Sequence, residues 1–316
     1  MRRGAATRLV RALLVALSLA TALAAARQGA AAPAPDAPYV PTPDNVVEAM
    51  LELGRVGPAD YLVDLGCGDG RIVITAAKKL GARGMGVDLD SGLVGTARRA
   101  AEREGVAGRV SFQTSDLFDT DIRRATVVTM YLLQSVNLRL RPRLLKELKP
   151  GTRIVSHDFD LDRWQPDARR TVPVPDKVYG PPSSELFLWI VPADASGVWR
   201  WHLDAGGAAR EYTLSLVQEF QMLGGSLTAG GRSAAVTGRM RGEEIGFVLT
   251  LDIGGRPLRH EFSGRVSGDA IAGWAAIAGG APLAWRAVRA ARGRMETGTG
   301  AAAPDLQTIS ILEERT

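Results

Sequence analysis

Three glycines on alternate positions, Gly66, Gly68 and Gly70, follow a short apolar run that carries Asp64 in the stretch YLVDLGCGDG. Glycine enters left-handed backbone conformations without steric cost, so such a stretch can turn sharply and bring its backbone against a ligand. A dinucleotide-binding turn spaces its glycines G-x-G-x-x-G. Here they alternate, and an acid stands two residues ahead of the first. Asp64 would repel a pyrophosphate, but it would attract the ammonium of a nucleoside that bears an amino acid, such as S-adenosylmethionine. Glycine-rich turns after strands are common, and this one alone leaves another nucleotide ligand open.

Two further acids narrow the choice. The apolar run GMGVD ends in Asp88, about twenty residues past the glycines, where one strand-helix-strand crossover delivers an acid to the two hydroxyls of a ribose. Asp90, two residues on, reads instead as the N-terminal acid of the following helix. A third apolar run, residues 110–114, leads into Ser115 and Asp116. Singly, each acid reads equally well as a cap or turn former. Three at the ends of three successive strands point to one nucleoside site.

The elements that must carry these residues follow from pattern and composition. A chain of 316 residues, 46% hydrophobic, can bury a sizeable core and divides most naturally into two domains. Short apolar runs alternate with helical stretches as far as ELFLWIV before Pro192, which predicts a parallel α/β sandwich over residues 44–192; in a sandwich of this kind the last run usually lies antiparallel. Beyond it the period changes. Six short alternating runs between residues 199 and 276 are separated by glycine turns, and VTGRMRGEEIGF is echoed by FSGRVSGDAIAG, with Gly242-Glu243 and Gly268-Asp269 at equivalent turn positions. Residues 195–292 are therefore expected to form a small all-β domain, a meander or partial barrel, with residues 293–316 as a tail.

Arg2, Arg3, Arg8 and Arg11 precede an apolar run over residues 13–23 and small-residue stretches at 24–26 and 30–32. Residues 1–32 read as a signal peptide or, uncleaved, as an N-terminal anchor that would associate the protein with a membrane. The bacterial envelope or periplasm is the expected location; in a eukaryote the same arginine-rich, acid-free start fits a mitochondrial presequence. Residues 33–43, with Pro33, Pro35, Pro38, Pro41 and Pro43, form a linker and entrance segment.

The formal charge of +5 is partly N-terminal, and no dense Lys/Arg run with interleaved aromatics argues for nucleic acid as a partner. The single cysteine, Cys67, lies within the glycine turn and reads as a packed residue. HDFDLD at residues 157–162 invites a metal reading, but a calcium loop from Asp158 would need Gly and Glu where Arg163 and Arg169 stand, so no metal is expected. Its alternative is a polar loop, with His157 bordering an acceptor site.

D-x-G-x-G-x-G resembles motif I of the class I methyltransferases. Together, PYVPTP at 38–43, DLGCGDGRI, GVDLD, YLLQSVN from Tyr131 and LKPGTRIVSHDF resemble the lysine methyltransferases of mitochondrial adenine nucleotide translocase and ATP synthase c-subunit and their archaeal relatives. The likeness covers residues 38–192. It implies a Rossmann-like fold, S-adenosyl-L-methionine as cofactor and an accessible lysine of a protein as acceptor. It assigns Tyr39 and Thr42 to closure over the cofactor, Asp64, Gly66, Gly68 and Gly70 to its methionine part, Asp88 to ribose, Asp116 to adenine, and Tyr131 to the acceptor channel as the catalytic residue. Gln134 departs from the usual proline after YLL. The amine-binding D/N-P-P-Y/F turn of base methyltransferases is absent. A small-molecule N- or O-methyltransferase and a non-catalytic envelope binding protein on a methyltransferase scaffold remain as alternatives.

Overall fold

The computed structural model describes residues 39–178, 180–204, 209–253 and 255–298. The leader-like segment, the linker before Tyr39 and the tail beyond residue 298 lie outside the described residues.

Helix α1 (Asp44–Leu53) leads into β1 (Tyr61–Leu65), whose last four residues are all buried. Such an unbroken apolar run marks a strand covered on both faces. Helix α2 (Arg71–Leu80) starts and stops at left-handed glycines, Gly70 with φ 78° and Gly81 with φ 71°. Strand β2 (Arg83–Asp88) follows, then α3 (Ser91–Arg103), which opens where the Asp90 carboxylate accepts the amides of Gly92 and Leu93 at 2.7 and 3.1 Å. That cap satisfies two of the helix's orphan donors and accounts for Asp90 without a ligand. Strands β3 (Val110–Thr114) and β4 (Val127–Met130), helix α4 (Gln134–Glu147) and strands β5 (Arg153–His157), β6 (Ala168–Pro173) and β7 (Ser183–Ile190) complete the layer.

The seven strands lie in the order β3-β2-β1-β4-β5-β7-β6. The first five are parallel, and β7 runs antiparallel between β5 and β6. Order reverses between β1 and β4, so the helices leaving those strands diverge and a crevice opens at the strands' carboxyl ends. Alternation along β1 sends Leu62 and Asp64 to the face covered by α1, α2 and α3, and Val63 and Leu65 to the face covered by α4.

Eight antiparallel strands then close into a barrel: β8 (Gly197–Asp204), β9 (Ala209–Glu219), β10 (Met222–Ala229), β11 (Arg232–Arg241), β12 (Glu244–Ile253), β13 (Arg256–Ser267), β14 (Ala270–Ile277) and β15 (Leu283–Arg292). Closure through β15 and β8 goes beyond the meander or partial barrel expected from sequence. Two strands escaped the pattern. In β10 the pair Gly224-Gly225 interrupts the alternation, and β15 sends only Trp285 and Ala287 fully into the interior. Eight strands leave an interior just wide enough to fill with side chains. Trp199, Trp201, Tyr212, Phe247, Phe262 and Trp285 fill it. Gly242 and Gly268 supply the positive φ, 62° and 58°, that the two echoed turns require.

The barrel is fixed to the sheet by apolar and polar contacts. Phe220 stacks on buried Trp164 with centroids 5.7 Å apart, and the Trp189 indole donates to the Trp164 carbonyl. Buried Gln218 accepts the Ala195 amide and donates to the carbonyls of Ala193 and Phe220, holding the crossing chain at both of its ends.

Gly273 shows how tightly the barrel strands approach. A Cβ there would lie 2.0 Å from the Ser263 carbonyl oxygen, whereas at Gly246 the nearest atom would be 4.0 Å away. Gly273→Ala is expected to lose about 2 kcal/mol or more in denaturant unfolding, and Gly246→Ala to stay within about 0.5 kcal/mol. Equal effects of the two substitutions would contradict the strand packing.

Candidate active site

The crevice at the carboxyl ends of β1, β2 and β3 gathers the sequence-predicted acids. Asp64 is buried, 2% exposed, and accepts a hydrogen bond from the Thr129 hydroxyl on neighbouring β4 at 2.7 Å. Burial foremost, opposed by that bond and helped by the charges of Asp88 and Asp69, raises its pKa from 3.8 to about 7. Gly66, Gly68 and Gly70 all have positive φ, 79°, 52° and 78°, and carry the chain around the mouth. Gly66 and Cys67 both donate their amides to the Val87 carbonyl, which pins the turn to β2. The Cys67 thiol is buried and pushed well above its ordinary range, foremost by that burial, so it packs and does not react.

Asp88 accepts the Gly68 amide at 2.8 Å through one oxygen and the Asp90 amide at 3.0 Å through the other. Each oxygen keeps capacity for a further donor, as a ribose diol requires. Asp116 follows β3, accepts the Phe118 amide at 2.8 Å and is half-buried. Neighbouring parallel strands lie about 4.8 Å apart, so the tips of β1 to β3 span the length of a nucleoside.

Tyr39 and Thr42 reach this mouth from the entrance segment. The Tyr39 ring lies against Gly68, where a Cβ would come within 2.5 Å of it. Its hydroxyl donates to Asp69, and Arg71 binds Asp69 through two nitrogens and the Thr42 carbonyl through a third at 2.8 Å. Burial would raise the Asp69 carboxyl, but the Arg71 contacts hold it below its usual range. Asp69 and Arg71 thus latch the segment down, a role invisible in the motif because both look like ordinary turn and helix residues.

Tyr131 stands just past β4, on the other side of the switch point from β2. Its ring stacks on His157 with centroids 3.8 Å apart, and its hydroxyl donates to Asp158. Burial, then the Asp158 charge and this bond, raise the Tyr131 pKa, so the phenol keeps its proton. His157 is 1% exposed, lies 3.3 Å from the Thr42 hydroxyl through Nδ1 and 2.8 Å from Ser184 through Nε2. Burial lowers its pKa to about 4, against the pull of Asp158, so it is neutral at physiological pH. His157 borders Tyr131, as its place after the fifth apolar run allows; the part of Asp158 beside Tyr131 is not marked in the sequence except by its place at the carboxyl end of that strand. Gln134 occupies the first turn of α4, a position that suits proline, and its side chain instead donates to Asp160 at 2.8 Å.

The row of carboxylates fits an adenosyl-sulfonium cofactor. A buried acid with one hydroxyl donor awaits a cation, a second offers two free lone pairs to a diol, and the glycine turn admits close backbone approach.

Comparison with known proteins agrees. Residues 64–168 match the family described as "ANTKMT methyltransferase domain". A protein-lysine N-methyltransferase of Saccharolobus islandicus (strain REY15A) is 45% identical over half of this chain and 95% of its own length. The adenine nucleotide translocase lysine N-methyltransferase of Mus musculus is 42% identical over 42% of this chain; there the match spans only 57% of the relative. Among solved structures, an RNA methyltransferase from Salinibacter ruber in complex with S-adenosyl-L-homocysteine is 52% identical over 48% of this chain and 94% of its own, with a TM-score of 0.44.

Asp64 couples proton binding to the site. Its carboxyl ordinarily titrates at 3.8 and in the fold at about 7. Between those values the folded chain holds a proton that the unfolded chain has lost, so stability falls as pH rises, by up to about 4 kcal/mol in all. A ligand cation beside the carboxylate reverses that cost. Asp64→Asn is therefore expected to unfold later than wild type at pH 8 without cofactor, to lose that advantage by pH 4, and to bind S-adenosylmethionine at least tenfold more weakly. Parallel melting curves for the two proteins across pH 4–8 would refute the coupling.

Proposed function

The chain belongs to the protein-lysine N-methyltransferase family, and from that premise we propose that it transfers a methyl group from S-adenosylmethionine to the side-chain amine of a lysine in a protein substrate. The observation that carries this reading is the position of Tyr131: a neutral, hydrogen-bonded phenol stacked on a neutral histidine, next to the strand whose neighbour presents Asp64.

Each residue has a defined task. Asp64 and the glycine turn would hold the amino-acid end of the cofactor, Asp88 the ribose and Asp116 the adenine. Tyr39 lies over Gly68 at the edge of that turn. Bound there, the cofactor would supply a methyl group on a cationic sulfonium, whose leaving group is a neutral thioether that needs no acid catalyst. Tyr131 then has only to orient the acceptor. With its own proton donated to Asp158, its oxygen presents lone pairs to an amine N–H, turning the nitrogen lone pair along the line of attack. Alignment of this kind supplies much of the acceleration in a displacement. A tyrosine with a raised pKa is no base at neutral pH, so the lysine must shed its proton to solvent before it reacts. The Tyr131–His157 wall, aromatic and uncharged, favours the neutral amine there.

Methyl-tritiated cofactor incubated with a cell extract should label protein, with acid hydrolysis releasing methylated lysine. Tyr131→Phe should reduce that label about a hundredfold with cofactor affinity unchanged. Label confined to small solutes would replace this reading with that of a small-molecule methyltransferase.

For its place of action we propose the cell envelope, with residues 1–32 as an export signal or membrane anchor. The support is the order of charge and hydropathy: four arginines, then the apolar run at residues 13–23, then small residues. Fractionation followed by N-terminal mapping should find the protein in the envelope, either beginning after the alanines at 24–26 or 30–32 or retaining the apolar run in the membrane. Full-length protein in the cytosol would refute it.

A further inference from the structure

Beside Tyr131 the protein already holds a lysine of its own. Lys177 lies in the connection between β6 and β7, where Pro175, Asp176 and Val178 are exposed, yet its side chain turns inward and is only 13% exposed. Its ammonium donates to Asp158 Oδ2 at 2.6 Å and to the Ser183 carbonyl at 2.7 Å. Asp158 is the fixed partner of the pair. It sits in a left-handed conformation with φ 61°, its Oδ1 accepts the Glu185 amide at 3.0 Å, and its carboxylate accepts a hydrogen bond from the Tyr131 hydroxyl. Its donors are thus a backbone amide, a wall residue of the channel and one long flexible side chain.

Resting on the lysine-acceptor reading above, we propose that Asp158 and the Ser183 carbonyl form the seat for the ammonium of the incoming lysine, and that Lys177 is an internal occupant which the substrate must displace. The exchange leaves every hydrogen bond at the seat replaced by one of the same kind, since one primary ammonium succeeds another. It leaves the Tyr131 hydroxyl anchored on Asp158, so the substrate ammonium is seated next to the residue that orients the amine once its proton has passed to solvent. Lys177 competes from a short tether, at an effective concentration in the millimolar range. Lysines with no other contacts to the enzyme are thereby rejected, and those carried by a docked protein are admitted. The occupant acts as a threshold on substrate choice.

The test reads binding and turnover separately. Calorimetry with N-acetyl-lysine methylamide, on protein saturated with S-adenosylhomocysteine, should show about tenfold tighter binding to Lys177→Met than to wild type. Lys177→Arg should show no gain, and Asp158→Asn no detectable binding. N-acetyl-norleucine methylamide, which lacks the ammonium, should not gain in any variant. In unmutated protein, saturating N-acetyl-lysine methylamide should raise the reactivity of Lys177 toward an amine-acylating reagent, mapped by mass spectrometry, several-fold over other lysines. Equal or weaker binding by folded Lys177→Met, or unchanged Lys177 reactivity, overturns the proposal. Tighter binding without any methyl transfer would leave the seat standing and remove the methyltransferase reading instead.

Discussion

Placing a carboxyl group inside a sheet that is apolar on both faces costs free energy, and in this protein the cost falls on Asp64. Among the described residues the cross-strand hydroxyl of Thr129 is its hydrogen-bond partner, and it offsets the loss of water only in part. Asp88 and Asp69 add their fields to the same small volume, so the acids at the mouth of the crevice oppose one another. The surrounding devices keep that strained arrangement in place. Two amides of the glycine turn are tied to the Val87 carbonyl, a third to Asp88, and Arg71 neutralises Asp69 while holding the entrance segment. Burial and neighbouring charge are thus set against a single hydrogen bond at one residue.

The barrel meets a different constraint. A sheet ending at β6 has an open edge, and an added set of β-strands would ordinarily offer more of them for unwanted pairing. Closing eight strands on themselves removes every edge of the second unit, and short turns between consecutive strands achieve this without crossovers. What remains is attachment. The junction relies on Trp164, Trp189 and Phe220, reinforced by Gln218, whose amide would be costly to bury unpaired but here finds three backbone partners. These residues lie on the α4 face of the sheet, away from the face that Asp64 shares with α1 to α3.

Much of the sheet and of the cofactor crevice was legible in the sequence because each rests on a local rule. Apolar runs of four to six residues, glycines at sites of positive φ and acids at strand ends announce themselves within a short window, and β1, β2 and β3 follow them closely. Asp90 could be separated from Asp88 by the same means, since capping is a property of neighbouring residues. Strands β6, β10 and β15 were hidden for the converse reason. ARRTVP is mostly exposed at a sheet edge, and MLGGSLTA owes its place to partners on β9 and β11 that no window contains.

The segment after β5 shows why the acceptor side was harder to read than the cofactor side. In HDFDLD the acids alternate, and on an extended strand they would share one face, the premise of any metal reading. Asp158 and Asp162 instead take left-handed conformations, with φ 61° and 55°, and each resets the direction of the chain. The acids separate accordingly: Asp158 turns to Tyr131 and Lys177, Asp160 to Gln134, and Asp162 to Arg141 on α4. Left-handed backbone at a non-glycine residue carries a steric cost of roughly 1 kcal/mol or more, which local hydrogen bonds must offset. For Asp158 the Glu185 amide does so through the carboxylate, and the Glu185 carbonyl does so by accepting the Asp158 amide at 2.7 Å. The same two contacts that make the conformation tolerable aim the carboxylate at the Tyr131 hydroxyl and the Lys177 ammonium, so the irregular backbone and this cluster have a single cause.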